Sequence, residues 1–117
     1  MSEEKWKTAE VLMKAERYAD ALFFIHLSLE AALKEAAARH TGKEVPYIHD
    51  LPRLAYLAGL EPGEEQKKQL EAVTTFNVRG RYDDYKLSLY KKATKEYTRE
   101  HLKKASDLRL WIQSQKQ

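Results

Sequence analysis

The chain contains no cysteine, and it has only 4 glycines and 3 prolines among its 117 residues. Without cysteine it can form neither a disulfide nor a cysteine-ligated zinc site, so thiol chemistry is excluded and a reducing compartment is expected. No uncharged apolar run is long enough to span a membrane or to act as a signal peptide. We therefore expect a soluble, cytoplasmic protein that makes no contact with a membrane.

The residues that are present favour helices. The sequence is 43% hydrophobic and 33% charged, and with so few glycines and prolines this composition is typical of an all-α protein. Its length predicts one domain covering residues 1–117. Charge is uneven, because residues 1–76 carry 10 basic and 13 acidic side chains whereas residues 77–117 carry 11 and 5. This asymmetry permits contact with phosphates or with an acidic partner, although most of these lysines are expected on solvated helix faces.

Apolar periodicity and capping residues predict four long helices, one short helix and a structured loop. The first helix is expected over about residues 3–18 with Ser2 as its cap, and the second is capped by Asp20 and ends at Gly42. A short helix follows Asp50, and a further helix covers residues 63–76. Thr94 begins the last helix, whereas residues 77–92 show no clean period and are broken at Gly80, so a loop is predicted there.

A polar strip crosses the second helix, which is otherwise apolar on most sides. Such a helix is expected to be central in its bundle or partly covered by a second subunit. His26, Glu30 and Lys34 are spaced four apart and share one side of it. The simpler interpretation is a solvent-facing edge with a pair between Glu30 and Lys34. The alternative is that Glu30 turns inward and anchors an arginine such as Arg79 or Arg81, since a buried carboxylate needs a partner.

Motifs for metal and cofactor chemistry are missing. The histidines occur singly, without the paired spacing of a metal site, and no glycine-rich phosphate loop or catalytic serine motif is present, so no metal and no cofactor are expected. Asp83 and Asp84 are neighbours and point in different directions, which disfavours a carboxylate dyad. We expect Arg81 or Lys86 to pair with one of them, or Asp84 to accept backbone N–H groups.

Four short segments are informative together: YADALFF at 18–24, LEAALK at 29–34, HDL at 49–51 with Leu54, and RYDD at 81–84. In their order and spacing they resemble the HEPN family, small helical domains that are often encoded beside minimal nucleotidyltransferases. The first two resemble the family's Ala-Leu-aromatic start and its Glu-x-Ala-Leu-Lys middle, and the last resembles its Arg-Tyr-Pro-Asp pattern, with Asp83 in place of the proline. The resemblance implies an all-α, four- to five-helix up-and-down bundle that forms a homodimer and acts with a nucleotidyltransferase, in a toxin–antitoxin-like pair.

Many HEPN proteins are metal-independent ribonucleases, whose signature is an arginine separated from a histidine by four to six residues. No histidine stands at that spacing after Arg79, Arg81 or Arg99, and histidine is the residue best suited to move a proton near neutral pH. We therefore expect a non-catalytic domain that binds a nucleotide, RNA phosphate or partner protein. The alternatives are a ribonuclease with an atypical site that uses Arg79, Arg81 and Tyr82, and a purely structural bundle.

The site implied by the resemblance lies in the predicted loop over residues 77–92, between the fourth helix and the last one. Two arginines would bind phosphate or organise the dimer cleft, neighbouring side chains would shape the loop, and the second helix would supply a polar wall. The residues expected in this site are Asn77, Arg79, Arg81, Tyr82, Asp84, Glu30 and Lys34.

Overall fold

The computed structural model describes residues 1–115, and the regular elements in this range are all helices. Six helices occur in this range, with no strand between them, and the all-α prediction is confirmed. The predicted domain extends to residue 117, and residues 116–117 lie outside the described part. The helices are α1 Ser2–Lys14, α2 Tyr18–Thr41, α3 Leu51–Leu57, α4 Glu64–Thr74, α5 Asp83–Lys92 and α6 Lys95–Ser114.

Helix α2 lies at the centre of the bundle, as its apolar composition predicted. It packs most extensively against α1 and α6, and it also contacts α3, α4 and α5. Leu22, Ile25, Leu29 and Leu33 are fully buried and form the middle of the core. Each such side chain contributes about 1.5–3 kcal/mol by leaving water, so this one helix organises much of the hydrophobic stabilisation. The core is completed by Phe76 and by residues of α4 and α6.

Helix α5 is a correction to the sequence analysis, which predicted a loop over residues 77–92. The predicted break at Gly80 is present, since this glycine has φ +69°, but a helix begins three residues later. Leu89 is the one buried residue of α5. A helix that buries so little of its surface has no apolar stripe, and that explains why periodicity did not reveal it.

Helix ends agree with prediction in the later part of the chain and differ in the first part. The Asp50 and Thr94 side chains accept hydrogen bonds from backbone N–H groups three residues ahead, as N-caps do. Ser2 is not a cap, because its hydroxyl is buried and donates to the carbonyl oxygen of Ser28 at 2.8 Å. Asp20 lies inside the first turn of α2 and pairs with Arg17, the residue before the helix, so it too was wrongly assigned as a cap.

No helix within residues 1–115 is both long enough and apolar enough to cross a membrane.

Candidate functional site

Glu30 lies at the centre of a polar cluster that faces inward from α2. Its side chain is only 8% exposed. Lys34 Nζ donates to Oε2 at 2.9 Å, and Arg79 Nη2 donates to Oε1 at 3.2 Å. The solvent-facing interpretation of this strip is therefore wrong for Glu30. The alternative interpretation, in which Glu30 turns inward and anchors an arginine, is confirmed for Arg79.

The cluster keeps Glu30 ionised although it is buried. Burial by itself would raise the pKa of Glu30, but the hydrogen bonds from Lys34 and His49 and the nearby positive charge lower this pKa below its ordinary value. A buried carboxylate that accepts several charge-assisted hydrogen bonds is stable in the charged form. Glu30 therefore acts as a fixed negative centre to which the surrounding donors are directed.

His49 connects the Glu30 cluster to the loop before α3. Its Nδ1 lies 2.9 Å from Glu30 Oε1 and 3.0 Å from Arg79 Nη2. A carboxylate can only accept and a guanidinium can only donate, so Nδ1 can satisfy one of these neighbours at a time. The carboxylate contact is the shorter, and Arg79 has Glu30 itself as an acceptor, so we assign the proton to Nδ1. In the neutral ring Nε2 then carries an unshared lone pair, and it has no hydrogen-bond partner in residues 1–115.

His26 supports His49 from the side of the core. Its Nε2 donates to the backbone carbonyl oxygen of His49 at 3.1 Å, which leaves Nδ1 unprotonated in the neutral ring. That Nδ1 is buried and has no hydrogen-bond partner within the described chain. Burial consequently lowers the pKa of His26, because a second ring proton would have no acceptor. His26 is therefore held neutral and fixes the backbone that carries His49.

The Arg79 side chain is positioned by its own loop. Asn77 is buried, and its Oδ1 accepts from the backbone N–H of Arg79 at 3.2 Å and from Nε at 3.4 Å. The guanidinium also lies over the ring of Phe23, 5.9 Å from its centroid. These contacts fix the direction of a side chain that is still 42% exposed. Arg79 thus bridges the buried cluster and the protein surface.

The remaining predicted residues lie further along the same loop. The Arg81 guanidinium stacks over the ring of Tyr85 at 4.8 Å, and the Tyr85 hydroxyl donates to the carbonyl oxygen of Thr75 at 2.7 Å. Asp84 accepts the N–H of Tyr85, a local bond of the kind predicted for it. Tyr82 is 87% exposed. The structure therefore joins four of the predicted residues, Glu30, Lys34, Asn77 and Arg79, in one cluster. It places Arg81 beside them, whereas Tyr82 and Asp84 make no contact with the cluster.

An open cleft of about 440 Å³ lies between the loop before α3 and the loop that joins α4 to α5. This volume falls within the range of about 300–1,000 Å³ that small-molecule sites occupy. Arg79 and Arg81 bring positive charge to it, and Asp50 brings one negative charge. The residues that line it are His49, Asp50, Thr74, Asn77, Arg79, Gly80 and Arg81. Such a cleft offers arginine donors for an anion and one imidazole for proton transfer.

His49 and His26 were not predicted as members of the site. His26 was placed on the same strip as Glu30 by its spacing of four residues, but no role was predicted for it. His49 lies 19 residues from Glu30 and 30 residues from Arg79 along the chain, so no motif based on close spacing could connect it to them. The sequence did offer one indication of such partners, because a carboxylate that is predicted to be buried requires hydrogen-bond donors around it. No group of three or more histidines, aspartates and glutamates in residues 1–115 is arranged to hold a metal ion.

Comparison with known proteins gives one match. A family model described as HEPN domain matches residues 1–115 of the chain. Searches of curated proteins and of solved structures give no match. The matched range includes all the residues that line the cleft and all those that surround Glu30.

Proposed function

Because the chain belongs to the HEPN domain family, we propose that it is a non-catalytic, nucleotide-associated module that holds a phosphate group in the cleft. The observation that carries this proposal is that two arginines of one loop, Arg79 and Arg81, line the same cleft. Arginine's planar guanidinium suits phosphate oxygens, which accept two parallel hydrogen bonds from it.

Both arginines retain donors for a ligand. Arg79 uses Nη2 toward Glu30 and Nε toward Asn77, which leaves Nη1 without a partner in the described chain. The Arg81 guanidinium lies over the Tyr85 ring, and no hydrogen bond within residues 1–115 uses its side-chain N–H groups, so these donors stay available. If a phosphate draws Arg79 outward, Glu30 keeps its bonds to Lys34 and His49. Binding therefore does not leave a buried charge uncompensated.

The partner part of the proposal comes from the family resemblance. We propose that the protein forms a homodimer and acts with a nucleotidyltransferase, as one half of a toxin–antitoxin-like pair. Light scattering across micromolar concentrations tests the dimer, and a strictly monomeric protein would contradict it. Co-expression with a nucleotidyltransferase encoded beside the gene, followed by affinity purification of the pair, tests the partner.

Ligand binding is tested by thermal melting and by titration with a panel of nucleoside phosphates. A ligand that binds only the folded state raises the melting temperature. Replacing Arg81 with alanine removes charge-assisted hydrogen bonds worth about 1.5–3 kcal/mol, so affinity should fall about tenfold to a hundredfold. Lys86→Ala is the matched control, since it removes an exposed positive charge one helical turn into α5 and outside the cleft. Equal affinities for Arg81→Ala and Lys86→Ala would overturn the phosphate site.

A second candidate function is favoured by the contact between His49 and Arg79. The expected absence of catalysis depended on histidine spacing along the chain, whereas the fold brings a histidine within 3.0 Å of Arg79 Nη2. In an atypical metal-independent ribonuclease, His49 Nε2 would accept the proton of an RNA 2′-hydroxyl as the 2′-oxygen attacks phosphorus and the bond to the 5′-oxygen breaks. The departing 5′-oxygen takes a proton from water, and His49 returns its proton to the hydroxide that remains.

Cleavage of a labelled RNA oligonucleotide in EDTA separates the two candidates. The ribonuclease requires activity that His49→Asn abolishes while nucleotide binding persists, because asparagine can still donate to Glu30 but cannot exchange a proton. No cleavage by the wild-type protein would exclude this second candidate and leave the binding module.

A further inference from the structure

Among the residues that line the cleft, His49 is the one whose type of side chain changes charge near neutral pH. Its side chain is 26% exposed, so protons from solvent can reach the ring. With the Nδ1 proton donated to Glu30, a second proton can bind only at Nε2, which has no hydrogen-bond partner in residues 1–115. Acidification therefore adds a positive charge to the wall of the cleft without breaking a hydrogen bond of the ring.

His49 and Arg79 share one oxygen of Glu30, and the two donors are in direct contact. His49 Nδ1 lies 2.9 Å from Oε1, and Arg79 Nη2 lies 3.2 Å from the same atom. The two nitrogens are 3.0 Å apart. While the imidazole is neutral, the guanidinium is the only cation of this pair. Once the imidazole is protonated, two like charges stand at this separation and repel each other.

The other charged groups around this contact do not offset the added proton. Lys34 already occupies the second oxygen of Glu30, and burial lowers the pKa of His26, which keeps that ring neutral. Asp50 caps α3 by accepting a backbone N–H, and it forms no ion pair with His49 in the described chain. With His49 protonated, one carboxylate faces three cations. The titratable and charged side chains that face His49 or line the cleft beside it are His26, Glu30, Lys34, Tyr47, Asp50, Arg79 and Arg81.

Arg79 is the member of this cluster that can withdraw from Glu30. Its side chain is 42% exposed, compared with 27% for Lys34 and 26% for His49. Asn77 Oδ1 holds the backbone N–H of Arg79, so the guanidinium can turn about its own side-chain bonds while the loop stays in place. Because Arg79 also lines the cleft, a guanidinium that leaves Glu30 offers additional N–H donors there.

We infer that His49 is a proton-operated switch: when its Nε2 takes up a proton, Arg79 leaves Glu30 for the cleft, which then binds a tetrahedral dianion more tightly. This inference rests on the proposed phosphate site and concerns its regulation. At neutral pH Glu30 competes with the ligand for Arg79. Under acidic conditions the imidazolium of His49 compensates Glu30 in its place, and the proton returns to solvent when the pH rises.

Sulfate is the probe for this switch, because it has the shape of phosphate and stays doubly charged in the relevant pH range, whereas phosphate changes its own charge. Heteronuclear NMR titration measures sulfate affinity at about pH 7.5 and about pH 5.5, at constant ionic strength. The wild-type affinity should rise about tenfold on acidification, the gain from one additional charge-assisted hydrogen bond to the ligand. An affinity that does not rise would overturn the inference.

Two histidine variants test whether His49 is the group that takes up the proton. His49→Asn keeps a donor for Glu30 but cannot be protonated, so its sulfate affinity should be the same at both pH values. His101→Phe is the matched control, because it removes a histidine of α6 outside the cleft and keeps a ring against Phe76. The control should retain the gain. An equal gain in the wild type and in His49→Asn would refute the switch and leave the phosphate site standing.

Two arginine variants separate the movement of Arg79 from the phosphate site itself. Arg79→Ala should lose the gain on acidification. A gain that persists in this variant would mean that the charge of His49 attracts the anion by itself, and the withdrawal of Arg79 would be refuted. Arg81→Ala should weaken binding at both pH values but keep the gain. If Arg81→Ala binds sulfate as tightly as the wild type does at both pH values, the phosphate site fails.

A measurement on the wild-type protein without ligand tests the switch even where a variant fails to fold. The Arg79 Nε–H group lies 3.4 Å from Asn77 Oδ1, so its NMR signal reports a change in the direction of this side chain. The chemical shift of this signal should follow the same pH dependence as the ring signals of His49. A signal that is unchanged while His49 becomes protonated would overturn the inference.

Discussion

Replacing Glu30 with glutamine should destabilise the protein far more than the same change at an exposed glutamate. Glutamine has nearly the shape of glutamate, but it carries no charge and replaces one acceptor oxygen with an NH₂ donor. Lys34, His49 and Arg79 all direct donors at Glu30, so at least one of them would face another donor. The substitution therefore removes attraction and adds an unsatisfied contact without opening a cavity.

The expected loss of stability depends on the burial of Glu30 and on the exposure of its partners. Breaking a buried ion pair by removing one partner costs about 3–5 kcal/mol. Here the side chains of Lys34 and Arg79 are 27% and 42% exposed, so water can replace part of what they lose. We therefore expect a loss of about 2–3 kcal/mol in the free energy of unfolding. For a chain of this length, 1 kcal/mol corresponds to about 4 °C, which gives a drop of about 8–12 °C in melting temperature.

Glu100→Gln is the matched control for Glu30→Gln. Glu100 forms the same i, i+4 pair with Lys104, with Oε1 3.0 Å from Nζ, but its side chain is 60% exposed. Exposed pairs of this kind contribute little, so the control should melt close to the wild type. Thermal melting monitored by circular dichroism compares the two variants. Equal melting temperatures for Glu30→Gln and Glu100→Gln would refute the view that the buried cluster stabilises the fold.

Two further predictions concern backbone strain and pH. Gly59→Ala should lower the free energy of unfolding, measured by urea denaturation, more than Gly80→Ala does. Both glycines have positive φ, but a Cβ at Gly59 would lie 2.6 Å from the His40 ring, whereas one at Gly80 meets no atom within 4 Å. Equal losses of free energy would contradict this reasoning. Acidification below about pH 6.5 should lower the free energy of unfolding. Burial lowers the pKa values of His26 and His101 in the folded state, so the unfolded chain binds protons more readily. Urea denaturation above and below this pH measures the change, and an unchanged free energy of unfolding would contradict the prediction.

The sequence predicted most accurately those helices that bury a continuous face. The central position of α2 follows from its apolar residues, and the ends at Gly42 and Asp50 follow from backbone conformation and capping. Helix α5 was missed for the opposite reason, since a helix with one buried residue leaves no period to detect. Ser2 was misassigned because a serine near a helix start is usually a cap, whereas here tertiary contact with Ser28 binds its hydroxyl.

The candidate site was predictable only in part, because its contacts join distant segments. Sequence spacing placed Glu30 and Lys34 on one strip, and the need to compensate a buried carboxylate correctly suggested Arg79. The sequence could not choose between the inward and outward orientations of that strip, because the choice depends on how α2 packs. His49 was overlooked as a partner since its loop returns to α2 only in the folded chain. The roles of these residues in binding phosphate stay predictions.

The sparse attachment of α5 has a consequence for how the arginine loop can respond to a ligand. The loop is tied to the core before Arg79, through buried Phe76 and Asn77, and it is followed by a helix that is held chiefly by Leu89. Local opening of such a helix requires much less free energy than global unfolding, so its amide hydrogens should exchange with solvent early. The two ends of the loop therefore differ in mechanical stiffness: Arg79 is held at the rigid end, and Arg81 lies at the end that can be displaced without disrupting the core.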